Sequence, residues 1–285
     1  MALGTEIVVA ASAGTCFGVE RALELVSAAA EEHPGQVRTM GPLIHNPRVV
    51  DELAEQGVSA VNGPEEAQGL VLVLRSHGVT PDEEHRAREL CSEVIDATCP
   101  FVKRVHREVE RFAVEGRTVI VAGEAQHPEV RATCAHTEGA QALGSADEAR
   151  FVVGKRVGVV AQTTLEHALL DEIVAALRQN GNDVDVRDTI CAATSERQAA
   201  AAELADRSDV MLVIGGRSSA NTRHLVDICA ERCTQTHHIE SAEEVARTWL
   251  EGAQLIGITA GASTPKAHID EVVARCEELL ANPYE

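Results

Sequence analysis

Leu70-Val71-Leu72-Val73-Leu74 runs straight into Arg75-Ser76-His77-Gly78, and an acidic helical stretch opens shortly after at Pro81. An unbroken apolar run of this length has no solvent face, so it reads as a strand covered on both sides. A buried strand that ends in Ser-His-Gly and leads into a helix is the building unit of a parallel α/β sheet. In such sheets ligands sit beyond the carboxyl ends of the strands.

The same pattern recurs in both directions. Glu6 to Ala11 reads as a strand, and after Cys16 the residues Val19, Ala22, Leu23 and Val26 recur at helical spacing. Further apolar runs occupy Thr118 to Ala122, Arg156 to Ala161, Val210 to Ile214 and Leu255 to Thr259. Each ends in a small or polar cluster: Ala13-Gly14-Thr15-Cys16, Gly123 to Glu129, Gln162-Thr163-Thr164, Gly215 to Ser219, and Ala260 to Ser263. The class is α/β with parallel-rich sheets.

The clusters are periodic. Cys16 is followed by His45 and His77, Cys99 by His127 and Thr163, and Cys191 by Ser219 and Ser263. Each third of the chain therefore offers one cysteine and then two polar clusters. Self-similarity of this kind signals repeated units, with expected boundaries 1–98, 99–190 and 191–285. Three such units about a pseudo-threefold axis would bring the three cysteines together.

Composition narrows the function. The chain has 285 residues, with 25 Lys and Arg against 45 Asp and Glu, a net charge of −20 with histidines neutral. That excludes general binding to nucleic-acid backbone or to an anionic membrane surface, both of which need a basic face. No apolar run is long enough to span a bilayer and no export signal opens the sequence, so a cytoplasmic protein is expected. Aromatic residues are only 2%, so the core must be aliphatic. In a reducing compartment the eight cysteines point to core filling, metal or catalysis rather than disulfides.

Cys91, Cys229, Cys233 and Cys276 lie on the apolar stripes of expected helices and read as small hydrophobes. Cys134 is undecided. Cys16, Cys99 and Cys191 each stand at a strand-to-helix junction, where a thiolate would face helix N–H groups. Three thiolates are too few for a closed structural zinc site. They could hold three irons of a 4Fe–4S cluster and leave one iron open for substrate. A single catalytic cysteine with a histidine is the alternative, though it would not explain three equivalent positions.

His33, His85, His106, His167 and His268 fall among charges on helix faces and read as solvated surface. His45, His77 and His127 instead stand at turns that follow strands. With Ser219, Asn221, Thr222 and Ser263, and with helix-start N–H groups, they could bind an anion locally in a strongly acidic chain. Helix capping by Ser219 is compatible with that role. Glu129 is the one acid among these donors; beside a bound diphosphate, like-charge repulsion would raise its pKa and suit it to proton donation. Phosphate-loop, dinucleotide and serine-hydrolase motifs do not occur.

The ordered segments Cys16-Phe17-Gly18-Val19-Glu20-Arg21-Ala22, Gly41-Pro42-Leu43-Ile44-His45-Asn46, Ser76-His77-Gly78-Val79 and Asp96-Ala97-Thr98-Cys99-Pro100 form a recognisable set. They continue with His127-Pro128-Glu129-Val130, Gln162-Thr163-Thr164-Leu165, Ile190-Cys191-Ala192-Ala193-Thr194 and Thr259-Ala260-Gly261-Ala262-Ser263. From about residue 6 to residue 280 the chain resembles the 4-hydroxy-3-methylbut-2-enyl diphosphate reductase family.

That resemblance implies a trefoil of three small α/β domains around a central 4Fe–4S cluster held by Cys16, Cys99 and Cys191. It implies two-electron reductive dehydroxylation of an allylic diphosphate to isopentenyl and dimethylallyl diphosphate. The electrons would come from a ferredoxin or flavodoxin type protein. Carried over, His45, His77, His127, Ser219, Asn221 and Ser263 bind the diphosphate. Glu129 supplies protons, with His127 beside it, and Thr163 holds the substrate hydroxyl near the open iron. Gln126, Arg131, Ala132, Ser218 and Ala220 depart from the family's usual residues and bear on substrate preference. A paralogue acting on another allylic diphosphate, an iron–sulfur sensor without turnover, and a metal-free cysteine transferase are the competing readings.

Overall fold

The computed structural model describes residues 5–153 and 155–281. Among these, the strands are β1 (Glu6–Val9), β2 (Val37–Met40), β3 (Ser59–Val61), β4 (Val71–Leu74), β5 (Glu93–Asp96) and β6 (Thr118–Ala122). They continue with β7 (Gln141–Leu143), β8 (Arg156–Ala161), β9 (Asp183–Val186), β10 (Val210–Ile214), β11 (Thr236–Ile239) and β12 (Leu255–Ala260). The helices are α1 (Phe17–Glu32), α2 (Pro47–Glu55), α3 (Pro81–Leu90), α4 (Pro100–Val114) and α5 (Pro128–Cys134). After them come α6 (His167–Gln179), α7 (Ala192–Ala205), α8 (Ala220–Ala230), α9 (Arg247–Leu250) and α10 (Lys266–Ala281).

The strands form three four-stranded sheets, ordered β3-β2-β4-β5, β7-β6-β8-β9 and β11-β10-β12-β1. Every pairing is parallel. All three sheets share one plan: the first strand in sequence is flanked by the second and third, and the fourth lies outside the third. In the last sheet the fourth place is taken by β1 from the start of the chain. The expected first unit, 1–98, included β1, whereas β1 pairs with β12 in the sheet of the last third.

Chain contacts divide the molecule into two compact units. One comprises Met1–Phe17, His45–Arg48 and Ala192–Glu285, and the other Gly18–Ile44 and Val49–Cys191. In the first, Leu212, Ile214, Ile256 and Ile258 pack on Ile269, Val272 and Cys276 of α10. The opposite face sets Met211 and Val213 against Ala201 and Leu204 of α7 and Leu225 and Cys229 of α8. In the second, α4 buries Val105, Val109 and Phe112 on Val119, Val121 and Val160. The Phe112 ring occupies the space a side chain at Gly158 would need, since a Cβ there would lie 2.3 Å from it. The other face of that sheet packs Ile120, Val157 and Val159 on Leu170, Ile173 and Leu177 of α6. Coverage on both faces is why these strands read as unbroken apolar runs.

Helix starts follow local chemistry. Thr80 and Glu83 form a reciprocal capping box ahead of α3, with Pro81 at the first helical position. Two histidines depart from the surface reading: His106 and His268 are buried, at 7% and 4% exposure. His106 stacks on His136 with ring centroids 4.0 Å apart. Burial, and then the charge of His136, push its pKa down to about 3. Cys233 lies beyond the end of α8 rather than on a helix stripe, although it is buried as expected. No helix among the described residues is long and apolar enough to cross a membrane.

Candidate functional site

A doubly wound sheet reverses direction between its first and third strands, and the crevice at their carboxyl ends is where ligands bind. In this chain the reversals fall between β2 and β4, between β6 and β8, and between β10 and β12. The segments leaving those six strands carry His45, His77, His127 with Glu129, Thr163, Ser219 with Asn221, and Ser263.

The cysteines occupy a different and equally regular place. Cys16 follows β1, Cys99 follows β5 and Cys191 follows β9, which are the fourth strands of their sheets. Each cysteine amide donates to a carbonyl in the segment leaving the neighbouring third strand: Cys16 to Ala262 at 3.1 Å, Cys99 to Ser76 at 3.0 Å, and Cys191 to Thr163 at 3.0 Å. Two of the approaches also share an aspartate turn. The Asp96 carboxylate accepts from the Thr98 amide at 2.9 Å, and Asp188 from the Ile190 amide at 3.1 Å. None of the three is in a disulfide among the described residues, and each is half-buried. Cys229 and Cys276 are fully buried, and burial pushes their thiols up to about 12 and about 11. Half-buried Cys134 is likewise pushed up to about 11 by burial. Cys16, Cys99 and Cys191 thus occupy matching loops with half-buried thiols, whereas Cys229 and Cys276 are sealed in the core.

The β6 and β8 ends bring together residues that the sequence left 34 apart. Glu129 is buried, and the Thr163 amide donates to its Oε1 at 2.6 Å while the Thr163 hydroxyl donates to Oε2 at 2.8 Å. Burial pushes the Glu129 carboxyl up to about 7, against the lowering effect of those two bonds. The sequence reading attributed this rise to a neighbouring anion; withdrawal from water is sufficient. His127 caps α5, its Nδ1 accepting from the Glu129 amide at 3.2 Å, so the neutral ring carries its proton on Nε2. The His77 ring meets it edge to face with centroids 5.5 Å apart. Gln162 Oε1 accepts from the Glu124 amide at 3.1 Å, closing the same loop. A side chain at Gly123 would lie 2.7 Å from that oxygen, which explains the glycine there.

The unit containing β10 and β12 builds a second donor group. Asn46 donates to the Ser263 carbonyl at 2.8 Å, and the Ser263 hydroxyl donates to the His45 carbonyl at 3.3 Å. These bonds fix the turn that carries His45. Ser219 caps α8 by accepting from the Thr222 amide at 3.3 Å. Asn221 is buried, and neither polar atom of its side chain has a hydrogen-bond partner among the described residues. A buried amide left unpaired is costly, and it identifies a place where a polar ligand is accommodated. Glycines 216 and 261 keep this floor open: a Cβ would lie 2.5 Å from the His45 carbonyl oxygen in the first case and 2.2 Å from Thr222 Oγ1 in the second.

Asn46 and Arg197 are the structural partners that sequence reasoning missed. Arg197 is buried and donates to the Gly14 carbonyl at 2.8 Å, bracing the approach to Cys16. Only Asn46 carried a signal, through its place in Leu-Ile-His-Asn-Pro. Of the departures from the family pattern, Gln126, Arg131 and Ser218 are exposed, while Ala132 and Ala220 are buried.

The sequence pattern of the family described as LytB protein matches residues 7–277. A protein of Geobacter sulfurreducens named 4-hydroxy-3-methylbut-2-enyl diphosphate reductase is 45% identical over 276 residues, covering 96% of this chain and 98% of the relative. A relative of the same name from Aquifex aeolicus is 42% identical over 279 residues, covering 96% of each. Among solved structures, one described as (E)-4-hydroxy-3-methyl-but-2-enyl diphosphate reductase, the terminal enzyme of the non-mevalonate pathway, matches with a TM-score of 0.71. It is 40% identical and covers 96% of this chain and 99% of that one. The corresponding reductase from Plasmodium falciparum matches with a TM-score of 0.90 at 26% identity, covering 98% of this chain and 89% of that one. Family pattern, relatives and folds agree with the resemblance read from the motifs, and the chain belongs to the LytB protein family.

Proposed function

We propose that this protein is an iron–sulfur reductase that converts 4-hydroxy-3-methylbut-2-enyl diphosphate into isopentenyl and dimethylallyl diphosphate. The observation that carries the chemistry is the buried Glu129 carboxyl held at both oxygens by Thr163. Cys16, Cys99 and Cys191 would hold a 4Fe–4S cluster. When bound, that group supplies single electrons and a Lewis-acidic iron for the leaving oxygen.

The chain's own residues do the rest. Reaction of the allylic alcohol consumes two electrons and two protons, breaks the C–O bond, forms one C–H bond and releases water. An amide can only donate, so Glu129 Oε1 is fixed as an acceptor. When the carboxyl is protonated the proton resides on Oε2 and the bond to Thr163 reverses, Oε2–H donating to Oγ1 and freeing the threonine hydrogen to be donated onward. From there the proton passes through the threonine hydroxyl to the departing substrate oxygen, and the second proton, which forms the C–H bond, is drawn from solvent. A carboxyl with a pKa of about 7 is still substantially protonated at neutral pH, and so can donate. His45, His77, His127, Ser219, Asn221 and Ser263 would take the diphosphate, with neutral or cationic imidazoles and hydroxyls supplying donors in a chain of charge −20.

The test is anaerobic turnover of the reconstituted protein with dithionite-reduced methyl viologen. Viologen oxidation that depends on 4-hydroxy-3-methylbut-2-enyl diphosphate supports the reading. Iron-loaded protein that oxidises no viologen with this substrate contradicts it.

A further inference from the structure

We propose that the exposed face of α4, built by Phe101, Arg104 and Arg107, docks the electron donor, an acidic one-electron iron–sulfur carrier protein. The inference rests on the reading above, in which Cys99 ligates iron. Cys99 is the residue that caps α4.

The helix divides sharply. Val102, Val105, His106, Val109 and Phe112 are buried. Phe101, Arg104, Arg107 and Arg111 face solvent. Arg111 is engaged by Glu108 and Glu115, Lys103 pairs with Asp96, and Glu110 is bonded to His136 at 2.8 Å. Arg104 and Arg107 stand one turn apart and, among the described residues, form no ion pair or hydrogen bond. Two unpaired guanidiniums side by side are a local exception in a chain of net charge −20.

Phe101 adds the apolar element. It is 43% exposed in a protein with only four phenylalanines. Exposed aromatic and arginine side chains together are the residue types that anchor protein interfaces. An acidic partner is repelled by the net negative charge of the chain and attracted locally by the Arg104 and Arg107 guanidiniums. A helix rises about 1.5 Å per residue, so this face runs from roughly 3 Å at Phe101 to roughly 12 Å at Arg107 along the axis from Cys99. A carrier seated there is brought to the ligand end of the helix. Each docking delivers one electron and releases an oxidised carrier. Two dockings supply the pair that the C–O cleavage consumes.

The experiment uses the iron-loaded protein with two reductants, methyl viologen and an acidic two-iron ferredoxin kept reduced by NADPH and its reductase. Arg104→Glu/Arg107→Glu and Phe101→Ala are expected to raise KM for ferredoxin about tenfold while viologen-driven rates stay within about twofold. Added salt is expected to raise the wild-type ferredoxin KM steeply and that of the double variant little. Unchanged ferredoxin KM in both variants overturns the docking face, as does a wild type that turns over with viologen but never with ferredoxin. A wild type inactive with viologen overturns instead the functional reading beneath it.

Discussion

Thr163 holds both oxygens of Glu129, the amide on Oε1 at 2.6 Å and the hydroxyl on Oε2 at 2.8 Å. The two residues lie beyond adjacent strands, β6 and β8, whose pairing fixes their separation. This places a protonatable carboxyl, sealed from water, behind a hydroxyl that can face a substrate.

The first expectation concerns the pH dependence of turnover. Burial raises the Glu129 pKa to about 7 and the protonated form is the donor, so kcat should be level below pH 7 and fall above it. Glu129→Gln should keep its iron and lose turnover by about 10² or more. Steady-state rates across pH, with iron content measured alongside, check both.

The same group couples pH to stability. Its folded pKa lies above the ordinary value of 4.5, so the folded state binds more protons between pH 4.5 and about 7. Its contribution is therefore fully present below pH 4.5 and is lost as pH rises through 7. Glu129→Gln should remove that loss. Relative to wild type, the variant should gain on the order of 3 kcal/mol between pH 4.5 and pH 8. Denaturant midpoints at the two pH values measure it.

Thr163→Val keeps the amide bond to Oε1 and removes the hydroxyl from Oε2. The buried carboxyl loses one partner, at a cost of about 1–3 kcal/mol, and turnover should fall sharply. Thr163→Ser should retain most of both. Thermal melts and viologen assays on the pair separate loss of the hydroxyl from loss of the methyl.

The cysteines should separate by position. Cys99→Ser and Cys191→Ser, on matching loops, are expected to lose bound iron and the visible absorbance near 410 nm. Cys229→Ala and Cys276→Ala should keep both, since their buried thiols are pushed up to about 12 and about 11 and pack as small apolar groups. Iron analysis after anaerobic reconstitution decides.

Asn221→Ala should raise KM for the diphosphate about tenfold with little loss of stability. Its side-chain amide has no partner among the described residues, so truncation breaks no internal bond. A fall in melting temperature without a change in KM would make Asn221 a structural residue instead.

How much of this was legible in the sequence depended on burial pattern. β4, β6, β8, β10 and β12 are covered on both faces, and β1 has an apolar run, so all six announced themselves. β3, β5, β7, β9 and β11 are edge strands of three or four residues such as Asp183–Val186 and Thr236–Ile239, whose alternating polar residues blur the signal. β2, Val-Arg-Thr-Met, is central but carries an arginine and a threonine. The spacing of cysteines and polar clusters gave the repeat. The return of β1 to the last sheet is a long-range pairing that no local pattern encodes. The Glu129–Thr163 bonds were invisible for the same reason, although both residues had been singled out separately. His106 misled because charges surround it in sequence while its ring turns inward onto His136.

The central claim is reductive removal of the allylic hydroxyl with protonation through Glu129. The most direct measurement is anaerobic turnover of 4-hydroxy-3-methylbut-2-enyl diphosphate in deuterated water, with the products identified by mass spectrometry. The expected result is isopentenyl and dimethylallyl diphosphate carrying a single new C–D bond, formed by the wild type and not by Glu129→Gln. Recovery of unchanged substrate from iron-loaded wild type, or equal product from Glu129→Gln, would contradict it.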